Sequence, residues 1–283
     1  LTHIISDLLN NIELILKEKK ITAKIMVVKG DGSLIDAKTA RYRPIDTTMS
    51  GPAASCIGAA WLTGKKDAVI VDIGGTSTDI SLLTSGYPEV SKQGAKIGIW
   101  ETMVEAISIS TQGLGGDSEI TFEEKNSNLN INLGPKRVVP LSLITERYPS
   151  VLNILERQCK SPFYSHTDCI FVWKKNISKN LHWLSKIERV TFDKLQINEI
   201  YSLSEIAPNQ SSFGAIKRLI KYNLIEISGF TPTDAVHVLG IYNGFSTKAA
   251  NLGALIISKI KSKSGKIIFN SKEQFAKTVL DKL

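Results

Sequence analysis

Val69-Ile70-Val71-Asp72-Ile73-Gly74-Gly75-Thr76-Ser77-Thr78-Asp79-Ile80-Ser81-Leu82 is the stretch whose reading decides the fold. Its apolar, β-branched first part (DAVIVDIG) predicts a buried core strand that delivers Asp72 to its end. Gly74 and Gly75 let the backbone turn sharply, and TDISLL returns as the hairpin partner. The turn then offers the hydroxyls of Thr76, Ser77 and Thr78 together with its own N–H groups. Successive N–H groups in a concave turn form a nest for phosphate oxygens. A carboxylate at a strand end can hold Mg²⁺, usually through water, because that ion keeps much of its hydration shell. Asp72 is the candidate for that task. Asp79 is a second metal candidate that could equally hydrogen-bond the turn from below. The bland alternative is a β-hairpin with a Gly-rich turn and no ligand. The strand, the Gly-Gly-Thr-Ser-Thr turn, the returning strand and the preceding Pro-capped helix, taken together, favour phosphate. The pattern is neither a Walker A loop nor a GxGxxG leading into a helix.

Working outward, SGPAASCIGAAWLTG predicts a helix with Ser50 or Gly51 as cap, Pro52 at its first position and Gly64 as its stop. Upstream, KIMVVKGDGSLID reads as a strand, a tight turn at Gly30-Asp31-Gly32 and a short partner strand. Residues 2–19 place Ile4, Ile5, Leu8, Leu9, Ile12, Ile15 and Leu16 at helical spacing, an amphipathic helix. Downstream, EAISISTQGLGGDSEI predicts a strand and a Gly-rich loop, and NLNINLGPKRVVP a hairpin turned at Gly134-Pro135. From about residue 141 helical patterns dominate. Within residues 191–230, SLSEIA followed by SSFGAIKRLIKYNLI and IEISGF resembles a winged helix-turn-helix. TPTDAVHVLG and the apolar helix AANLGALIISKI then return to the earlier style. The expected domains are 1–140, a basic and mainly helical insertion over 141–229, and 230–283 returning to the first lobe.

At 283 residues, 42% hydrophobic and 22% charged, the chain suits one large or two modest globular domains. No apolar run approaches the roughly 20 residues of a spanning helix, and residues 1–20 lack a secretory-signal pattern. The first residue is Leu, so a fragment of a longer product is expected. Three cysteines do not make a disulfide framework and point to a reducing cytoplasm. Cys159, His166 and Cys169 cluster, with His182 nearby, but without the paired CxxC form that argues for zinc. Ordinary partly buried residues are the preferred reading. The net charge of +8 is uneven: residues 1–140 carry 15 Lys and Arg against 16 Asp and Glu, and residues 141–283 carry 20 against 11. A basic half can mark nucleic acid, though a Lys-rich solvated surface is the simpler account.

SGPAAS, GAAWLTG and VDIGGTSTDISLL together resemble the central region of hydantoinase/oxoprolinase-type ATPases, within the actin-like, sugar-kinase and Hsp70-type superfamily. MVVKGDGSLI, ISTQGLGGDSEI and TPTDAVHVLG extend the likeness. The resemblance implies an α/β fold, an actin-like (ribonuclease H-like) nucleotide-binding lobe carrying the helical insertion. It implies ATP and Mg²⁺ as cofactors, with Gly74, Gly75, Thr76, Ser77 and Thr78 on the β- and γ-phosphates, Asp72 near the metal and the helix N-terminus at Ser50-Gly51-Pro52 adding its dipole. ATP would sit between two lobes, so a missing N-terminal lobe or partner subunit is expected. The implied chemistry is ATP-dependent opening of a cyclic amide. One departure stands out. Where longer members carry a His-Thr-Val-Gly-Ala-Gly-Gly-Gly-Ser type loop, this chain has Ser110-Thr111-Gln112-Gly113-Leu114-Gly115-Gly116-Asp117-Ser118. Gly115, Gly116 and Asp117 become candidates for nucleotide or metal contact, with Asp117 alternatively capping a helix from Ser118.

His237, in an apolar run, is expected as a core residue, Asp234 as a helix cap, Asp31 as a turn residue, and the Arg41/Arg43 pair as surface. The rival functions are an ATP-dependent regulator or chaperone-like module, and nucleic-acid binding through the basic segment.

Overall fold

The computed structural model describes residues 2–97, 100–125, 128–175, 181–262, 265 and 267–283. The chain divides into two compact units, Leu1–Gln112 and Gly113–Leu283.

In the first unit, α1 (Thr2–Glu18) is the amphipathic helix expected. It packs Ile5 and Leu9 against Ala37, Ala40, Val27 and Ile35. Strands β1 (Met26–Val28) and β2 (Leu34–Asp36) pair antiparallel. Their turn is held by Asp31, which accepts from Lys29 Nζ at 2.7 Å and from the Ser33 amide at 2.8 Å, while Gly32 takes a φ of +87°. After α2 (Ala37–Tyr42) and a 3₁₀ turn (Pro44–Thr47) comes α3 (Ser50–Thr63). Its cap is Met49, left-handed at φ 64°, rather than Ser50 or Gly51, so Pro52 falls at the third helical position instead of the first. The left-handed Met49 turns the chain one residue early. Gly64 ends the helix at φ 66°, as its sequence position predicts.

Strands β3 (Ala68–Ile73) and β4 (Thr78–Thr84) form the expected hairpin. The unit continues through β5 (Tyr87–Pro88), β6 (Lys96–Ile97), β7 (Trp100–Glu101) and β8 (Ile109–Gln112). Strand β4 is central, paired to β3 on one side and to β5 and β8 on the other. Helix α3 lays Ala53, Cys56 and Ala60 across Ala68, Ile70, Leu83 and Ile109 on one sheet face. Side chains alternate between faces along a strand, so Val69, Val71 and Ile73 point away from α3 and stay 62%, 51% and 57% exposed. The strand read from sequence as a core strand is therefore covered on one face only.

The second unit opens with β9 (Ser118–Lys125) and β10 (Asn128–Arg137), a long antiparallel ribbon. The hairpin expected to turn at Gly134-Pro135 is not there: both residues lie inside β10, where the register shifts between Leu133 and Arg137. A local irregularity absorbs the pair without reversing the chain. Then follow β11 (Val139–Pro140), α4 (Leu141–Arg147), α5 (Ser150–Lys160), β12 (Phe171–Lys174), α6 (Lys186–Asp193), β13 (Ile200–Ser202), α7 (Leu203–Ile206), α8 (Gln210–Lys221), β14 (Ile225–Gly229), α9 (Pro232–Val238), α10 (Thr247–Ile257) and α11 (Lys272–Leu280). One sheet, in the order β11-β14-β12-β13, splits this unit into two cores. Phe171 and Trp173 join Leu141, Phe230 and Phe275 on one face. On the other face Val172 and Ile225 meet Phe192, Leu203, Ile216 and Leu219 from α6, α7 and α8, each such burial contributing roughly 1.5–3 kcal/mol. Glu188 pins this second layer: it completes the capping box of α6 with Ser185 and accepts from Arg218 on α8. The Ser185 and Arg218 bonds hold its carboxyl below the usual range.

The start of α9 ties the unit together. Thr231, not Asp234, is the cap, and Asp234 is the third helical residue of a capping box. The fully buried Asp234 carboxylate accepts from the amides of Leu141 at 3.0 Å, Ser142 at 2.7 Å and Thr231 at 3.0 Å. One side chain therefore satisfies free N–H groups at the heads of both α4 and α9. His237 is a core residue, as expected: Nδ1 lies 2.7 Å from the Thr233 carbonyl and Nε2 accepts from the Phe245 amide at 3.1 Å. Replacing Asp234 by Asn puts an amide group against donors, and the expected result is a loss of about 2–3 kcal/mol in urea unfolding followed by Trp fluorescence.

Candidate functional site

The tip of the β3–β4 hairpin is built by the backbone. Ile73 and Thr78 form the last strand pair, and the Gly74 amide donates to the Ser77 carbonyl at 2.9 Å. A Cβ on Gly74 would lie 3.3 Å from that same carbonyl, so the closure leaves little room for a side chain. The amides of Gly75, Thr76 and Ser77 have no backbone acceptor among the described residues, and Gly74, Gly75 and Thr76 are exposed. The tip thus presents three consecutive free donors.

Below the tip, the register sets Asp72 directly opposite Asp79, and sets Thr111 of β8 opposite Asp79 on its other side. All three side chains share the α3-facing side of the sheet. The Thr111 hydroxyl donates to Asp79 Oδ1 at 2.6 Å. Asp72 has no hydrogen bond or ion pair among the described residues and is half-buried. Two carboxylates in one cross-strand pair repel each other. A row of acids with one member unpartnered suits a hard divalent cation, which takes oxygen ligands. A cavity of about 440 Å³ is lined by Thr111, Ser91, Ser108 and Met49, the residue before α3.

Gly115, Gly116 and Asp117 belong to the second unit. There the Gly115 amide donates to Ser118 Oγ at 2.9 Å, and the Gly116 carbonyl accepts from the Thr233 amide at 2.8 Å. Asp117 is nearly buried; Arg137 Nε donates to its Oδ2 at 2.9 Å, and Thr233 Oγ1 lies 3.4 Å from its Oδ1. The helix expected from Ser118 is absent, because Ser118 opens β9. Asp117 caps no helix. Hence Asp72, Gly74–Thr78 and Asp79 are brought together in the first unit, while Gly115, Gly116 and Asp117 form a loop anchored by Arg137 and Thr233. Sequence reasoning missed Thr111 as a partner of Asp79. Its only local signal is a hydroxyl in a β-pattern, and the strand pairing that aligns it spans 32 residues.

The sequence matches the hydantoinase/oxoprolinase family over residues 1–201, and the chain belongs to that family. Among solved structures it is similar to the nucleotide-free acetone carboxylase from a study of ATP-dependent acetone carboxylation. That likeness has 26% identity and a TM-score of 0.38, and covers 46% of this chain and 18% of that one. The chain thus spans less than a fifth of the length of that neighbour. No curated protein matches it.

Relieving the cross-strand repulsion should stabilise the first unit. Asp72→Asn is expected to raise its unfolding free energy by about 0.2–1 kcal/mol, seen as a higher thermal midpoint at low salt, and the gain should shrink as salt is added.

Proposed function

We propose that this chain is the ATP-binding half of a hydantoinase/oxoprolinase-like enzyme that hydrolyses a cyclic amide C–N bond in an ATP-dependent reaction. The observation that carries the reading is the hairpin tip, with free amides at Gly75, Thr76 and Ser77 above the Asp72–Asp79 pair. Family membership supports it. The antiparallel β3–β4–β8 arrangement, with one helix packed on it and a Gly-Gly turn at its end, is in keeping with an actin-like, ribonuclease H-like lobe.

In this reading the backbone of Gly74–Thr78 holds the β- and γ-phosphates, and the Thr76, Ser77 and Thr78 hydroxyls add side-chain donors. Asp72 and Asp79 would hold Mg²⁺, with Thr111 fixing the rotamer of Asp79. Bound ATP would supply a phosphoryl group to the amide oxygen, making the carbon open to water. The protein's part is positioning and neutralisation of charge. Gly115, Gly116 and Asp117 are proposed as a further nucleotide-facing loop, whose shape depends on the Asp117–Arg137 pair. A further lobe or partner subunit would complete the site.

The test uses the complete protein containing this chain. Asp72→Ala is expected to abolish ATP hydrolysis, and wild-type hydrolysis is expected to rise when a cyclic amide such as 5-oxoproline or a hydantoin is added. Full activity in the Asp72 variant removes that residue from the mechanism. ATP hydrolysis indifferent to every cyclic amide points instead to the regulator or chaperone-like module. Thr111→Val should weaken Mg²⁺ binding, measured by calorimetry, by about five- to tenfold, the worth of roughly one ordinary hydrogen bond. Thr111→Ser should restore it.

A further inference from the structure

A second cavity, of about 370 Å³, lies wholly within the second unit. Its size falls in the range of small-molecule pockets, which combine apolar walls with a few placed polar groups. Phe122 from β9, Tyr164 from the connection between α5 and β12, and Phe230 just after β14 give it aromatic walls. Phe122 and Tyr164 stand edge to face with centroids 6.4 Å apart. The polar groups are specific. The Tyr164 hydroxyl has no hydrogen-bond partner among the described residues, and burial pushes its pKa up, so it remains a donor. Asp168 uses Oδ2 to accept from the Ser165 amide at 2.7 Å, which leaves Oδ1 open. Ser228, also lining the cavity, is fully buried with an unpartnered hydroxyl, and such a group calls for an explanation in a native fold.

The backbone beside the cavity carries a cost of its own. Cys169, next to Asp168, takes a left-handed φ of 60°, a conformation that non-glycine residues adopt rarely and mostly where the surroundings enforce it. The Cys169 amide donates to Gln158 Oε1 at 3.1 Å. The turn closed by the Asp168 amide on the Ser165 carbonyl at 2.9 Å keeps Tyr164 and Asp168 close in the chain, and both line the cavity.

Charge narrows the ligand. The cavity borders two acids, Glu119 and Asp168, with Lys217 and His166. Glu119 is partnered by Lys136 at 3.9 Å, so Asp168 and Lys217 remain as one negative and one positive charge on the wall, a balance that favours neither an anion nor a cation. An unpaired donor and an open acceptor between aromatic walls match a group that offers both partners in one plane.

We propose that this cavity is a binding site for a small, uncharged planar ring bearing a carboxamide. The ring lies among Phe122, Tyr164 and Phe230, the carbonyl accepts from Tyr164, and the N–H donates to Asp168. The site shares no residue with the hairpin tip and stands independently of the nucleotide reading.

The test is a ligand-observed NMR titration of the 283-residue chain with benzamide, using benzoate and benzylamine as charged counterparts of the same shape. Benzamide is expected to bind more tightly than either. Tyr164→Phe and Asp168→Asn are each expected to weaken it by about fivefold, the worth of one hydrogen bond, with far-UV circular dichroism confirming the fold. Absence of benzamide binding, a preference for either charged ring, or unchanged affinity in both variants overturns the proposal. The ranking of the three probes on the unmodified chain decides the matter even if a variant fails to fold.

Discussion

The candidate site rests on a register. Strand β4 is hydrogen-bonded on both sides, and its pairing with β3 and β8 places Asp72, Asp79 and Thr111 in one row across the sheet. A slip of one residue would turn every side chain of a strand to the opposite face. Packing prevents the slip: Ile70 and Leu83 must stay under Ala53 and Cys56 of α3. The same contact that forms this small core therefore aligns the acids, and the small residues of α3 serve the site by letting the helix come close.

The two units solve the problem of buried polar groups differently. In the first, the polar row lies at a sheet end, and the amides of Gly75, Thr76 and Ser77 at the hairpin tip have no protein partner among the described residues. In the second, polar groups near the loop after Gly113 are largely satisfied: Asp117 by Arg137, and Asp234 by two helix starts. An acid held by several donors in a buried place builds structure, whereas an acid facing another acid is stabilised by little except a ligand. Of the three candidate acids, Asp72 is the one without a protein partner among the described residues, and the orphaned hydroxyls of Ser142 and Ser228 are exceptions within the second unit.

Much of the first unit was legible because its signals are local. The helix of residues 2–18, the turn at Gly30–Gly32, the Gly64 stop and the β3–β4 hairpin each follow from periodicity or turn chemistry within about a dozen residues. Misreadings came where geometry overrode those signals. Gly134-Pro135 has turn composition yet lies inside a strand, because the pairing of β10 with β9 carries on across it. Asp117-Ser118 looks like a helix start, but Ser118 pairs with Arg137 in a ribbon.

Residue order by itself determined the tight Gly-Gly turn of the β3–β4 hairpin, because two glycines and a run of hydroxyl residues after a β-branched segment restrict what the backbone can do there. It also determined membership of the hydantoinase/oxoprolinase family. Only the tertiary structure decided that Thr111 bonds Asp79, that β3 is covered on one face, and that Tyr164, Asp168 and Phe230 line one cavity. Those relations join residues distant in the chain, and they are set by strand pairing and packing, which local propensity does not encode.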